Sequence, residues 1–224
     1  SVHTGRGLFP REIALDCRSN APLHWAAATL LIAALLLPRG SVAQVPIPVD
    51  PKEFDVVATR KAAEAGDPRK MGELGSAMLF GVGLPKDEPE GVRWLEKSAA
   101  KGDTQGTLIL GMAKLQGLGT PKDEAAGAKL IRKIAERGDA QACVLLGQLN
   151  LKGIGVPQND PEGFKWVIRA AYQGNAEGQF LTGLLMATGR GTKADYKAGK
   201  QWLVKAAAQG HAEATEVLKR MNKS

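Results

Sequence analysis

The sequence is poor in the residues that most often carry enzyme chemistry. Its 224 residues include three histidines and two cysteines, and aromatic residues make up only 5%. Two histidines and one cysteine fall within the first 43 residues, so the rest of the chain keeps only His211 and Cys143. A Ser/His/Asp triad or a histidine-rich metal site is hard to build from one histidine. The composition therefore argues against an enzyme, and we expect no catalytic residues, metal or cofactor.

The apolar run at residues 25–37 is too short to cross a membrane. It has thirteen apolar or near-apolar residues, whereas a spanning helix needs about twenty. Small residues at Ser41 and Ala43 precede Gln44, as cleavage by signal peptidase requires. We expect residues 1–43 to be an N-terminal extension with a secretory signal peptide, and the protein to be periplasmic or secreted in a bacterium. The alternatives are a buried core helix and an uncleaved membrane anchor.

Charge of neither sign dominates the remainder of the chain. Without residues 1–43 the net charge is +5, and basic and acidic residues are interleaved along the sequence. Nucleic-acid recognition usually needs a basic face or stripe. We therefore expect no nucleic-acid partner and, after signal cleavage, no stable insertion into a membrane.

Glycine, by contrast, is abundant, with 27 residues, and many of them recur at one interval. Gly66, Gly102, Gly138, Gly174 and Gly210 lie 36 residues apart, and an Asp, Asn or His follows each. Four more glycine columns keep this step, as does a bulky column of Trp94, Leu130, Trp166 and Trp202. Such a period predicts a solenoid of units that bury their apolar faces against neighbours.

Each unit is predicted to contain two helices. The first begins after an Asp or Asn N-cap such as Asp67 and carries apolar residues at helical spacing. It ends near a glycine such as Gly81, which can adopt the left-handed conformation of a C-cap. A G-x-G-x-P-x-D loop follows, and its Asp87 begins the second helix, which carries the bulky column.

We place the solenoid at residues 44–224. The full repeats are predicted at about 63–98, 99–134, 135–170 and 171–206, between two half-repeats. The first half-repeat is a helix with Asp50 as its N-cap and its end at Ala65. The second is a first helix at residues 212–221. About ten helices are therefore expected.

These columns resemble the Sel-one-like repeat family, a close relative of the tetratricopeptide repeat. Residues 135–170 show its pattern well, with Gly138-Asp139-Ala140, Leu146-Gly147, Gly153-Ile154-Gly155-Val156-Pro157 and Trp166. The resemblance covers about residues 50–221. It implies an all-α fold, a right-handed α-α superhelical solenoid of 36-residue helix-turn-helix repeats, and a scaffold that binds a protein or peptide.

The chain departs from the family pattern in two ways. Gly91, Gly127, Gly163 and Gly199 replace an alanine of the second helix, which implies closer helix packing or weaker helices. Some secreted members carry a cysteine pair in each repeat and are linked to penicillin binding, but this chain lacks the pairs. A cell-wall-related enzyme, such as a β-lactam hydrolase of that cysteine-rich type, is the alternative function. A structural spacer is a third possibility.

The resemblance to tetratricopeptide repeats also implies a concave binding surface lined by the first helices. The candidate residues form three rows, which are Arg69, Gln105, Gln141 and Glu177; Ser76, Met112, Gln148 and Leu184; and Phe80, Gln116, Lys152 and Thr188. Most are polar and uncharged, which favours hydrogen bonding to an extended ligand. The alternative is that they form only a solvated surface.

Other chemically suggestive residues have structural interpretations. The G-x-G loops follow a helix rather than a strand, unlike a dinucleotide-binding loop. His211 stands in the capping column, and Cys143 lies in a helical pattern, where a buried thiol is expected rather than a reactive one. The tryptophans are expected to be core residues, with a carbohydrate-stacking surface as the alternative. Asp87 and its neighbouring glutamates are explained by helix capping.

Overall fold

The computed structural model describes residues 54–221, and the regular structure in that part is helical throughout. Ten helices follow one another, α1 Val56–Glu64, α2 Pro68–Phe80, α3 Glu88–Ala100, α4 Thr104–Gln116, α5 Glu124–Glu136, α6 Ala140–Lys152, α7 Asp160–Tyr172, α8 Ala176–Thr188, α9 Tyr196–Ala208 and α10 Ala212–Met221. Helices α2 to α9 form four hairpins, between the single helices α1 and α10. The all-α repeat fold is confirmed.

The predicted capping residues begin and end these helices. The Asp67 carboxylate accepts hydrogen bonds from the N–H groups of Arg69 (2.9 Å) and Lys70 (3.1 Å) in the first turn of α2. Gly81 ends that helix with φ 72°, in the left-handed region where glycine carries no Cβ penalty. The later repeats use the same devices, and the N-caps of their second helices, Asp123, Asn159 and Asp195, keep the 36-residue step.

The first half-repeat differs from the prediction. Its helix begins at Val56, and the Asp55 carboxylate accepts a hydrogen bond from Ala58 N–H at 2.9 Å. Phe54 and Asp55 are not helical, so the prediction of one continuous helix from Asp50 to Ala65 is wrong. The Phe54 ring lies against Gly83 of the first G-x-G loop, and this contact requires the chain to leave the helical path.

The two helices of each hairpin cross where both carry a glycine. A Cβ atom on Gly75 would lie 2.7 Å from the Gly91 carbonyl oxygen, and one on Gly91 would lie 2.7 Å from that of Gly75. Real Cβ atoms do not come so close to a carbonyl oxygen. The other three hairpins have the same paired glycines. Close helix packing is therefore the reason for the glycine that replaces the family's alanine.

Successive repeats are joined through the second glycine of each G-x-G loop. Gly119 N–H donates to the Glu88 carboxylate at 3.0 Å, and a Cβ on Gly119 would overlap the Glu88 carbonyl group. The hydrogen bond from Lys86, joined by that from Gly119, holds the pKa of the Glu88 carboxyl below its usual value. Each loop thus stacks on the second helix of the preceding repeat, which confirms its structural role.

One inter-repeat contact is specific to the fourth repeat. Arg190 stands between the two loop glycines, where the earlier repeats have Val82, Leu118 and Ile154. Its guanidinium donates to both oxygens of the Asp160 carboxylate, from Nε to Oδ2 at 3.0 Å and from Nη2 to Oδ1 at 2.9 Å. It also donates to the Leu151 carbonyl. This ion pair holds the pKa of Asp160 below its usual value.

The core consists of four hydrophobic clusters along the stack, each built from neighbours in sequence. Each helix packs on the one before and the one after, and α2 with α4 and α6 with α8 also touch. The central cluster includes fully buried Leu108, Ile131, Leu146 and Leu185. The first helices are covered on most sides, whereas the second helices keep one face in solvent.

The signal-peptide segment at residues 1–43 and the Asp50 N-cap lie outside the described residues. Within residues 54–221, no helix combines the length and the apolar character that spanning a bilayer would need.

Candidate protein-binding surface

The first predicted row lies in the opening turn of the four first helices. Arg69, Gln105, Gln141 and Glu177 are each the second residue of α2, α4, α6 and α8. The Arg69 side chain is 82% exposed, and its Nε lies 3.2 Å from a carboxylate oxygen of Glu73. Gln105 and Gln141 are half-buried. Their amide groups line one edge of the surface formed by the first helices.

The third predicted row lies at the C-terminal ends of the same four helices. Phe80, Gln116, Lys152 and Thr188 are their last residues. Phe80, Gln116 and Lys152 are exposed, whereas Thr188 is half-buried and its hydroxyl donates to the Leu184 carbonyl at 2.9 Å. Eleven positions separate this row from the first, or about 16 Å along a helix.

The second predicted row is corrected by the structure. Ser76 (0%), Met112 (8%) and Leu184 (1%) are buried, so they cannot contact a partner, and their assignment as surface residues is wrong. The physical reason is that Met112 and Leu184 belong to hydrophobic clusters formed with the following second helix and the next first helix. Gln148 is the only member of this row that is half-buried.

A polar cluster that the sequence did not predict joins α8 to the start of α10. His211 Nε2 lies 2.9 Å from a Glu177 carboxylate oxygen, and its ring stacks on Phe180 with the centroids 4.5 Å apart. His211 Nδ1 accepts a hydrogen bond from Ala214 N–H at 3.3 Å. A neutral ring with its proton on Nε2 satisfies both contacts, because it donates to Glu177 and accepts from Ala214.

His211 therefore caps α10 as predicted, but it is not a surface residue, because its side chain is only 11% exposed. The position of His211 in the Asp/Asn column was the available sequence signal, whereas its contact with Glu177 spans 34 residues. The Gln148 amide also reaches the Glu177 carboxylate, at 3.4 Å. Glu177 thus already has two protein partners.

The side chains of the bulky column are buried in the first repeat and half-buried in the later ones. Trp94 is 8% exposed, whereas Trp166 and Trp202 are half-buried. A cation three positions later lies over each ring, with Lys97 Nζ 4.1 Å from the Trp94 centroid and Lys205 Nζ 4.1 Å from that of Trp202. The prediction of core residues holds for Trp94.

Cys143 is a buried thiol, as predicted. Its side chain is fully buried, and Sγ lies 3.6 Å from the Ala135 carbonyl oxygen. Burial raises the pKa of this thiol above its usual value, which disfavours the reactive thiolate. Across residues 54–221, no three His, Cys, Asp or Glu side chains are grouped closely enough to hold a metal ion.

Stacked hairpins, glycine crossings and loops that cap the preceding repeat define an α-helical repeat solenoid. The Sel1 repeat family model matches residues 71–103, 106–139, 140–175 and 176–211. These four matches cover more than half of the chain, so the protein belongs to the Sel1 repeat family. Proteins of this family are commonly scaffolds for protein interaction, and they are generally not enzymes.

Two solved structures are similar to this chain. One is a protective antigen of uropathogenic Escherichia coli strains, which displays an SLR fold; it has 31% identity, a TM-score of 0.71, and a match that covers 75% of this chain and 36% of that one. The other is a Sel1 repeat protein from Oxalobacter formigenes, with 29% identity, a TM-score of 0.65, and coverage of 74% and 48%. This chain thus spans less than half of either. No curated protein matches it.

Proposed function

We propose that the protein is an exported, non-enzymatic adaptor that binds a protein or peptide on the concave surface formed by its first helices. The observation that carries this proposal is that nine of the twelve candidate residues keep solvent contact, in repeating positions on α2, α4, α6 and α8. These are Arg69, Phe80, Gln105, Gln116, Gln141, Gln148, Lys152, Glu177 and Thr188.

The amide side chains indicate what the surface would recognise. A glutamine side chain both donates and accepts hydrogen bonds, as does each peptide unit of an extended segment. Gln105 and Gln141 repeat along one edge of the surface, and Gln116 lies at the other edge. Such a surface favours a partner that runs along the solenoid and exposes its main chain, with Phe80 as an apolar anchor.

Site-specific cross-linking tests this surface directly. A photoreactive phenylalanine analogue at exposed Gln116 should form an adduct with one partner in cells. The same probe at Gln173, an exposed position in the turn after α7, should not. Equal yields of the same adduct from both sites would contradict binding on the first helices.

A substitution experiment tests the amide contacts. Gln105→Ala, Gln141→Ala and Gln148→Ala together should lower the affinity for the captured partner by about a hundredfold, since each of the three lost hydrogen bonds is worth about 1 kcal/mol. The control is Gln158→Ala with Gln173→Ala, at exposed positions outside the predicted surface. Circular dichroism should be the same for all variants. An unchanged affinity in the triple variant would refute the glutamine assignment.

Export is tested separately. Alkaline phosphatase fused after residue 60 should be active in bacterial cells, because the enzyme folds only in the oxidising periplasm. N-terminal sequencing of the processed protein should begin at Gln44. An inactive fusion, or a mature protein that keeps residues 25–37, would contradict the cleaved signal peptide.

The alternative function, β-lactam hydrolysis, is tested with nitrocefin. In residues 54–221 the only cysteine is Cys143, which is buried and cannot act as an accessible nucleophile. We expect no turnover above background. Activity that purifies with the folded protein would reject the non-enzymatic proposal.

A further inference from the structure

The last hairpin, together with the adjoining end of α7, carries a concentration of exposed apolar side chains. Among the described residues, five large hydrophobic side chains remain exposed, and three of them, Tyr172, Tyr196 and Val204, belong to α7 and α9. Tyr172 is 74% and Val204 51% exposed. The Tyr172 ring packs edge-on against Trp202 at a centroid distance of 5.3 Å. Clustered exposed apolar groups of this kind mark interaction surfaces.

The same hairpin has a charge pattern unlike those of the other repeats. Helix α9 has three lysines and no acidic residue, whereas α3, α5 and α7 each carry both signs. At the first helical position the earlier repeats have Glu88, Glu124 or Asp160, but α9 has Tyr196. At the next position they have Pro or Ala, but α9 has Lys197. Lys193 likewise replaces the loop proline of the earlier repeats.

We propose that the outer face of α9, together with Tyr172, is a second interaction surface that binds an acidic protein segment with apolar side chains. We call it the α9 face and define it by Tyr172, Lys193, Lys197, Val204 and Lys205. Its lysines supply a positive field, because they outnumber Asp195, the exposed N-cap of α9, which is the one acidic residue between Lys193 and Lys205. Tyr172 and Val204 supply the apolar contact, and Tyr is among the residues enriched in protein interfaces.

The geometry favours a protein over the two other anionic ligands. Lys205 Nζ lies over the Trp202 ring at 4.1 Å and Tyr172 covers its edge, so that ring is not free to stack on a base. A helix that lies on a lipid surface turns its apolar side outward, but Leu203 and Ala206 of α9 are fully buried in the protein. The α9 face therefore offers positive charge and a small exposed apolar area, and this combination suits an acidic peptide chain with apolar side chains.

The test uses two labelled peptides and fluorescence anisotropy with the full chain. In the probe peptide glutamate alternates with leucine, and in the neutral peptide glutamine replaces each glutamate. We expect the full chain to bind the probe and not the neutral peptide, with an affinity that falls as salt rises. Lys197→Glu with Lys205→Glu should weaken probe binding by about tenfold or more.

A matched control variant has the same change of charge on α5. Lys129→Glu with Lys133→Glu alters two exposed lysines on the outer face of that helix, and it should bind the probe as the unaltered chain does. Thermal unfolding verifies that both variants are folded. Val204→Ser should weaken binding with no change in charge.

Three results would overturn the proposal. The first is absence of probe binding by the full chain, and the second is equal loss of affinity in the α9 and α5 variants. The third is binding of anionic vesicles or of an oligonucleotide, but not of the peptide, that Lys197→Glu with Lys205→Glu abolishes. This surface is distinct from the first-helix surface, so the triple glutamine variant should still bind the probe.

Discussion

At the scale of single residues, polar side chains inside the stack are tolerated where their own helix satisfies them. Ser76 donates to the Gly72 carbonyl at 2.7 Å, and Asn150 donates to that of Leu146 at 2.8 Å, each four positions back. Both side chains are buried. A polar residue at a repeating position therefore does not imply a surface, and for this reason the assignment of Ser76 was wrong.

Two buried polar atoms among the described residues are exceptions, since the Thr182 hydroxyl and Trp166 Nε1 have no hydrogen-bond partner in the structure. Thr182 offers the simpler test. It occupies the column of Leu74, Leu110 and Leu146 and is fully buried. Thr182→Val removes the unsatisfied group and keeps the shape, so it should raise the free energy of unfolding by about 1 kcal/mol. Urea denaturation measures the change.

The matched control is Thr107→Val. Thr107 is also buried, but its hydroxyl donates to the Asp103 carbonyl, so this substitution should give no stabilisation. A gain of equal size in both variants would show that added hydrophobicity, and not the unsatisfied hydroxyl of Thr182, is the cause.

At the scale of helices, glycine sets how closely the two members of a hairpin approach. A Cβ on Gly127 would lie 2.6 Å from the Gly111 carbonyl oxygen and 3.0 Å from the Leu115 amide nitrogen. A Cβ on Gly111 would meet the Ile131 side chain at 3.0 Å and the Gly127 carbonyl at 3.2 Å. A Cβ on Gly127 would therefore lie too close to main-chain atoms, whereas the atom nearest to a Cβ on Gly111 belongs to a side chain, which can adjust more easily.

We therefore expect Gly127→Ala to destabilise the protein by about 1–3 kcal/mol through overpacking, despite the gain of about 1 kcal/mol in helix propensity. Gly111→Ala should cost clearly less. Denaturant unfolding of the two variants gives the comparison. A larger cost at Gly111 would contradict the close crossing described here.

Contacts between repeats add a pH-dependent contribution to stability. The Arg190 guanidinium holds the pKa of Asp160 below its usual value. A carboxyl with a lowered folded-state pKa stabilises the fold above its unfolded pKa, and this contribution is lost as the pH falls through the folded value. Both side chains of this ion pair are partly buried, with 26% of Arg190 and 30% of Asp160 exposed to solvent.

We expect Asp160→Asn to lower the free energy of unfolding by about 1 kcal/mol at neutral pH, and by much less at an acidic pH below the folded-state pKa of Asp160, because the contribution declines from about pH 4, the pKa of an unfolded aspartate, and is lost only through the lower folded value. Unfolding at both pH values measures the difference. Arg190→Leu restores the apolar residue of the other loops and should remove the same pH-dependent part. If the Asn variant lost equal stability at both pH values, the ion pair would not be the cause.

At the scale of the whole molecule, stability is propagated from neighbour to neighbour. Each helix packs on its sequence neighbours, and contacts beyond them join nearby helices of the same kind, such as α2 with α4 and, through Tyr172 and Trp202, α7 with α9. Helix α10 covers Leu184, Leu203 and Ala206 with Ala214 and Met221. The exposed residues of α10 include charged ones such as Glu213 and Lys219.

Ending the chain at Gln209 should therefore have a local effect. Hydrogen exchange should accelerate in α8 and α9, which lose their cover, and stay unchanged in α2 to α5. Exchange measured by mass spectrometry for each helix tests this. Lys219→Ala, an exposed change in α10, is the control and should change nothing. Uniform acceleration along the chain would show a single cooperative unit instead.

The sequence alone determined the period, the helix pairs and nearly all of the helix ends. These are local properties, because an N-cap such as Asp67 and a left-handed glycine such as Gly81 act within one turn of the helix. The start of α1 was missed for the same reason. Phe54 docks on Gly83, 29 residues away, and local capping signals at Asp50 carry no information about that contact.

Only the tertiary structure decided which predicted surface residues can be reached. Met112 and Leu184 were placed on a surface by their repeat position, but they are buried in hydrophobic clusters to which the following second helix and the next first helix contribute. Such a cluster depends on side chains from several helices at once. The same packing brings His211 to Glu177. Repeat position fixes which side of a helix a residue occupies, and the packing of neighbouring helices fixes whether solvent reaches it.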